Sequence, residues 1–247
     1  MRCLIVAPHP DDEIIGAAGW MLRHRDSEIA VLYVTNGSPR DVSDAHAAGF
    51  ESREDYAAAR RGEAARALGL VGIGAADTRR FDFVDRECYL HLPEFVARMT
   101  TIFEELRPGI VLSPAYEGGH PDHDSAAFAV AKAKAGFREP FRHMEYRLYH
   151  AAPDGTMDTK NFLPSPSSPV EICPLSDAEQ ETKSRMFGCF QSQQRFLKEF
   201  RLEEERFRDA PKYDFSLPPH DGALLYELWG WGISGSEWRR LAVEAGA

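Results

Sequence analysis

The sequence predicts an α/β fold, a mostly parallel sheet with helices on both faces, and three observations carry that reading. Short apolar runs recur through the first 150 residues, and helical stretches alternate with them. The loops after the first, second and fourth runs hold the polar, Gly- and Pro-rich residues. At 247 residues, 43% apolar and 28% charged, the chain has ordinary globular composition and enough length to bury one large core.

Residues 2–7, RCLIVA, form a short apolar run ended by Pro8, which reads as a buried parallel strand. Asp11 or Asp12 then caps a helix over 12–25, whose last turn is basic. IAVLYV, residues 29–34, is a second buried strand that empties into the loop TNGSPRD. An Ala/Arg/Glu-rich helix covers 53–68 and stops at Gly69. Further strands are expected at 80–84, 110–113 and 145–150, with helices at 93–106 and 125–134. This order is Rossmann-like, and such sheets bind ligands at the carboxyl ends of their strands. Residues 151–169 hold four prolines and read as loop, 177–209 as charged helix, and 236–245 as a terminal helix. The expected organisation is one domain over 1–247: a core at 1–150 and a less regular, substrate-shaping part at 151–247.

The net charge of −10 argues against nucleic acid as a partner. Cys3, Cys88, Cys173 and Cys189 form no CxxC pair and read as thiols of a reducing cytosol. The N-terminal apolar run is too short for a signal peptide, and no 18-residue apolar stretch exists to span a bilayer, so the expected location is cytoplasmic.

Two clusters carry chemistry: His9-Pro10-Asp11-Asp12-Glu13 past the first strand, and His120-Pro121-Asp122-His123-Asp124 past the fourth. Singly, each reads as an acidic helix start. Together, at the ends of two parallel strands, they can bring two imidazoles and a carboxylate to one point. That is a 2-His-1-carboxylate set, which suits zinc and also accepts Fe(II).

APHPDDEIIGA with GHPDHDSA resembles the LmbE/PIG-L family of zinc-dependent N-deacetylases. VTNGSP, the Arg60 and Glu63 pair in RRGEAARALGL, and Lys183 followed by Ser192-Gln193 are similar to further family segments, so the resemblance spans roughly residues 1–195. It implies one zinc held by His9, Asp12 and His123, with Asp11 as general base. It implies that His120 stabilises the oxyanion or protonates the leaving amine, oriented by Asp122. The implied reaction removes an N-acyl group, acetyl foremost, from an amino sugar or glycoconjugate. Elementary chemistry agrees: zinc lowers the pKa of water to about 7, and an adjacent carboxylate off the metal can take its proton. Some members carry a Tyr just before the second motif; here Gly118 and Gly119 precede His120, and the nearest is Tyr116.

Arg60 is implied as a contact to sugar hydroxyls, against the plain reading of a helix Arg paired with Glu63. Asp85, or Asp82, after the third strand, Asn36 in the second loop and Glu13 are further substrate-side candidates, each with a structural alternative as a loop acid, turn former or helix-start acid. Trp229, Trp231, Trp238 and Tyr226 form an aromatic C-terminal cluster that reads first as core or an oligomer contact, and second as a face for a sugar or acyl chain. Two competing functions use the same chain differently. A metal-dependent amidase on a non-sugar amide would share all these residues. A nucleotide-binding module lacks support, because Pro-His-Pro-Asp-Asp offers carboxylates where a phosphate needs donors. A non-catalytic sugar-binding module is the further alternative, and against it all six presumed catalytic positions hold competent residues.

Overall fold

The computed structural model describes residues 2–246. In chain order the elements are β1 (Arg2–Ala7), α1 (Asp12–Arg23), β2 (Glu28–Thr35), α2 (Ser43–Ala47), α3 (Arg53–Gly69), β3 (Thr78–Phe83), α4 (Leu92–Leu106), β4 (Ile110–Pro114), α5 (Pro121–Gly136) and β5 (Arg142–Tyr146). They continue as β6 (His150–Ala151), β7 (Met157–Asp158), β8 (Glu171–Pro174), α6 (Asp177–Gly188), α7 (Gln194–Leu197), β9 (Glu204–Asp209), α8 (Leu225–Leu228) and α9 (Gly235–Glu244). Seven strands form one sheet in the order β3-β2-β1-β4-β5-β9-β8. The first five run parallel, as the sequence predicts, while β9 and β8 add antiparallel.

The chain winds outward from β1 to β2 and β3, then returns to place β4 on the other side of β1. A sheet that reverses its winding leaves a crevice at the carboxyl ends of the two strands flanking the switch. Here those strands are β1 and β4, and each is followed directly by one of the two histidine motifs. Strand geometry sends alternate side chains of β1 to opposite faces. Cys3, Ile5 and Ala7 join a core with α1, α3 and α6, while Leu4 and Val6 join a second core with α4 and α5.

Two expectations change. Residues 177–209 are not helical throughout, because β9 occupies Glu204–Asp209. Its buried side chains include Glu205 and Arg208, which face Lys183 and Glu145, so no apolar alternation marks it. The fifth strand is Arg142–Tyr146 rather than 145–150, and Tyr149 leaves the sheet.

One long-range tie bears on the site. Ala17 breaks α1 with φ −142°, which frees the following N–H groups. Glu205 accepts from Gly19 N at 2.7 Å and Trp20 N at 3.0 Å, a side-chain cap inside the helix. Lys183 completes the tie, with Nζ 2.8 Å from both Ile15 O and Glu205 Oε1.

Candidate metal centre

The loop after β1 is pinned before it reaches the first motif: Thr35 donates to Pro8 O from its N–H at 2.9 Å and its hydroxyl at 2.8 Å. His9 then hands its backbone N–H to Asp12 Oδ2 at 2.8 Å, and its Nδ1 lies 3.1 Å from the same oxygen. From the other side of the crevice, His123 brings Nε2 to 3.3 Å from His9 Nδ1 and 3.4 Å from Asp12 Oδ1. His9, His123 and Asp12 are all buried. Donors about 2.0–2.1 Å from a tetrahedral zinc lie about 3.3–3.4 Å apart, so the set has the right kind and spacing of ligands.

The electrostatics ask for the same thing. Asp11, Asp12, Asp85 and Asp122 are buried together, with Arg60 as the buried cation among them. Burial favours neutral His9, yet Asp85 and Asp12 outweigh it and hold the imidazole well above its ordinary pKa. Burial would raise the Asp12 carboxyl, but His123 and His9 hold it well below the carboxylate range. A pocket that draws protons onto a histidine this way is short of positive charge, which a divalent cation supplies.

Asp11 is the strained residue of the centre. Its φ is 146°, outside the range L-residues favour, and it makes no side-chain cap for α1. Two residues, Arg60 and Glu13, hold it there. Arg60 donates to Asp11 Oδ2 at 2.8 Å, and also to Pro10 O and Gly37 O at 2.9 and 2.6 Å. Glu13 Oε2 accepts the Asp11 N–H at 3.0 Å, and Tyr33 donates its hydroxyl to Glu13 Oε1 at 2.8 Å. Burial, reinforced by Asp12 and Asp85 and opposed by Arg60 and His9, pushes the Asp11 carboxyl up to about 7.

His120 is the N-cap of α5, not part of a loose loop. Its Nδ1 accepts the Asp122 N–H at 3.1 Å, which leaves the ring proton on Nε2. The Asp122 carboxylate is 3.9 Å from His120 Nδ1 and is engaged elsewhere: Oδ2 with Arg86 N at 2.6 Å and His9 Nε2 at 3.3 Å, Oδ1 with Cys88 N at 3.0 Å. Asp122 therefore orients His120 through its backbone N–H, not its carboxylate. Burial, with His9 and His123, holds His120 well below its ordinary pKa, so it is neutral rather than cationic.

A cavity of about 580 Å³ opens over these residues, and His9, Asp11, Asp12, Arg60, Asp85 and His120 line it. Asp85 Oδ1 reaches within 3.2 Å of His9 Nε2 and 3.5 Å of His120 Nε2. Two expected substrate contacts lie elsewhere. Glu13 is fully buried under Asp11, and Asn36 uses Oδ1 to accept the Ser38 N–H at 2.9 Å, as a turn former does. Asp82 sits at the surface beside Arg61, 3.5 Å away. Tyr116 is turned into the core, donating to Leu217 O at 2.9 Å and stacking on Trp238. The cavity tyrosines are Tyr56 and Tyr149, which composition and spacing did not single out. Tyr149 packs 5.1 Å from the His123 ring, and its carbonyl passes so close to Gly119 that a Cβ there would lie 2.0 Å from it. Arg86, stacked 4.2 Å over Trp231, was missed as well; its position just past β3 is the one sequence signal it offered.

The family model for GlcNAc-PI de-N-acetylase (PIG-L) matches residues 4–134, a stretch that contains both motifs. The chain belongs to the PIG-L family. Among curated PIG-L-type relatives, the probable N-acetyl-alpha-D-glucosaminyl L-malate deacetylase 2 of Bacillus anthracis is 33% identical over 174 residues, covering 64% of this chain and 72% of that one. The diacetylchitobiose deacetylase of Thermococcus kodakarensis is 35% identical over 138 residues, 53% of this chain and 48% of its own length. A crystal structure of a deacetylase from the biosynthesis pathway of teicoplanin superposes with TM-score 0.68 at 17% identity, covering 87% of this chain and 99% of that one. That likeness establishes a shared fold. PIG-L membership makes the chain a member of a deacetylase family, and no helix among the described residues is long and apolar enough to cross a membrane.

Proposed function

We propose that the protein is a zinc-dependent hydrolase that removes the N-acetyl group of an amino sugar or glycoconjugate. The observation that carries this reading is the meeting of His9 Nδ1, the two oxygens of Asp12 and His123 Nε2 at distances of 3.1–3.4 Å, with Asp11 lining the same cavity as His9 and Asp12. The names of the relatives, which act on N-acetylglucosaminyl malate and diacetylchitobiose, support an amino-sugar substrate.

His9, Asp12 and His123 hold the ion. When bound, zinc supplies a Lewis acid that polarises the amide carbonyl and brings the pKa of water to about 7. Asp11 takes the proton of the attacking water; Arg60 occupies one carboxylate oxygen and leaves the other toward the cavity. As the C–N bond breaks, Asp11 returns that proton to the amine. His120 donates its Nε2–H to the developing oxyanion as a neutral imidazole. The Asp122 N–H fixes that tautomer. Arg60 and Glu13 are positioning residues for Asp11, and Asp85 faces the sugar side of the cavity.

The test is metal analysis of the purified protein alongside an acetate-release assay on N-acetyl sugars and N-acetyl amino acids. About one zinc per chain and release from sugars is the expected result. Release from N-acetyl amino acids alone would replace the sugar reading with a metal-dependent amidase, and failure to bind zinc after reconstitution would remove the hydrolase reading.

A further inference from the structure

The aromatic C-terminal cluster divides in the fold. Trp238 and Tyr226 are fully buried behind α5, as core residues are. Trp229 and Trp231 are not in that core; they line the cavity, in a Trp-Gly-Trp-Gly turn whose glycines take φ +69° and +79°.

These two indoles belong to an unbroken wall of rings. Trp231 meets His120 at 4.7 Å between centroids and Trp229 at 4.9 Å. Trp229 continues to Tyr149 at 6.0 Å, and Tyr149 to Phe196 at 5.5 Å. The wall starts at His120 and runs to Phe196, and Met157, Ala47 and Ala48 also line the cavity. Within it Trp229 is 40% exposed, and the adjoining Leu228 is 48% exposed. Large apolar surface left open and continuous with a site is where apolar ligand surface is buried.

The neighbouring cavity, about 530 Å³ beyond Arg86, shares Trp229, Trp231, Asp44, Asp85 and Arg86 with this one and adds Arg40, Asp41 and Glu87. Two ion pairs cross it, Arg40 on Glu87 at 2.6 Å and Arg86 on Asp44. Paired ions gain little by exchanging partners for a ligand's hydroxyls.

We infer that the group attached to the amino sugar is an apolar aryl or alkyl aglycone, seated on Trp229, Phe196 and Met157, with the sugar ring against Trp231. This rests on the amino-sugar reading above. A second sugar on this wall would set hydroxyls against Trp229, Phe196 and Met157, which offer no carbonyl, hydroxyl or charged group to pair with them, and would have to reach Ser192, Gln193, Arg195 or Glu199 beside Phe196 for its hydrogen bonds. A carboxylate-bearing aglycone is not singled out either, because Arg195 and Glu199 both line the cavity and their charges offset.

The experiment compares kcat/KM of the zinc-loaded enzyme on N-acetylglucosamine, its 4-nitrophenyl and octyl β-glycosides, and N,N′-diacetylchitobiose. The aryl and octyl glycosides should exceed the free sugar by about tenfold or more, chiefly through KM, and should exceed the disaccharide. In Trp229→Ala and Phe196→Ala the ratio of aryl glycoside to free sugar should fall toward one. A disaccharide preferred over the aryl glycoside, or a ratio that survives both substitutions, overturns the inference while leaving deacetylation intact. If no N-acetyl sugar is hydrolysed, the amino-sugar reading is what fails. The wall is then read directly, by titrating phenyl and octyl β-glucoside against tryptophan fluorescence in wild type and Trp229→Phe. Saturable binding weakened in the variant keeps the apolar site, and no binding removes it.

Discussion

The two His-Pro-Asp motifs have nearly the same sequence, follow neighbouring strands and open helices, yet the chain uses them in opposite ways. In the second motif the backbone of His120 is extended at φ −144°, and its own ring caps the helix. In the first, Asp11 stands at φ 146° and caps nothing; its carboxylate faces the cavity instead. In the proposed reaction the relaxed motif would supply one ligand, His123, and a fixed tautomer at His120. The strained motif would supply the other ligands and a base, Asp11, whose direction is held by Arg60 and Glu13. Similar residues thus trade helix stability against aim, and only one of the two makes that trade.

The widest separation between the motifs is chemical. Asp11→Asn should lower kcat by about 10²–10⁴ while zinc content stays near one per chain, whereas His9→Ala and His123→Ala should lose the metal itself. Elemental analysis beside initial rates decides it; zinc retained in both histidine variants would break the assignment of ligands. Next in size is backbone strain. Asp11→Gly and Asp11→Ala remove the same carboxylate, so their difference reports φ alone. The glycine variant should be more stable by about 1–3 kcal/mol in denaturant melts. Equal stability would mean that the first motif stores no strain.

The cap of the second motif is a smaller matter. His120→Ala should cost about 1 kcal/mol, and His120→Ser should recover most of it without recovering activity. Smallest is a proton linkage under the same motif. Asp124 accepts from Glu117 N and Gly118 N at 3.2 and 3.0 Å, and burial pushes its carboxyl up to about 8. A carboxyl with a raised folded pKa favours the fold while protonated. Its contribution is whole below about 4 and is lost as pH rises through about 8. The melting temperature of metal-free protein should therefore fall more between pH 5 and 8 in wild type than in Asp124→Asn, whose amide resembles the neutral acid.

Much of this was legible from residues alone. Strands β1, β2 and β4 announce themselves as apolar runs, whereas β3 (TRRFDF) and β5 (RHMEY) are mixed and leave their bounds less legible, and the two histidine motifs follow from their spacing and their strand-end positions. What stayed hidden is polar and buried. Strand β9 carries Glu205 and Arg208 inward, so its pattern imitates a charged surface. Glu13 reads as an ordinary helix-start acid, and only its fully buried bond to Tyr33 shows that it braces Asp11. The resemblance implies that Asp122 orients His120, yet its carboxylate is taken up by Arg86 N and Cys88 N, some 36 and 34 residues away in sequence, a long-range pairing that spacing does not reveal.

The break at Ala17 has a consequence for the order in which the molecule comes into being. The helix that begins at Asp12 is capped midway by Glu205, whose bond to Gly19 bridges 186 residues. The family pattern ends at residue 134, and everything it contains has left the ribosome long before that carboxylate exists. The N–H groups that Ala17 frees are thus capped from a strand made 186 residues later, and removing β9 would strip Gly19, Trp20 and Lys183 of one shared partner.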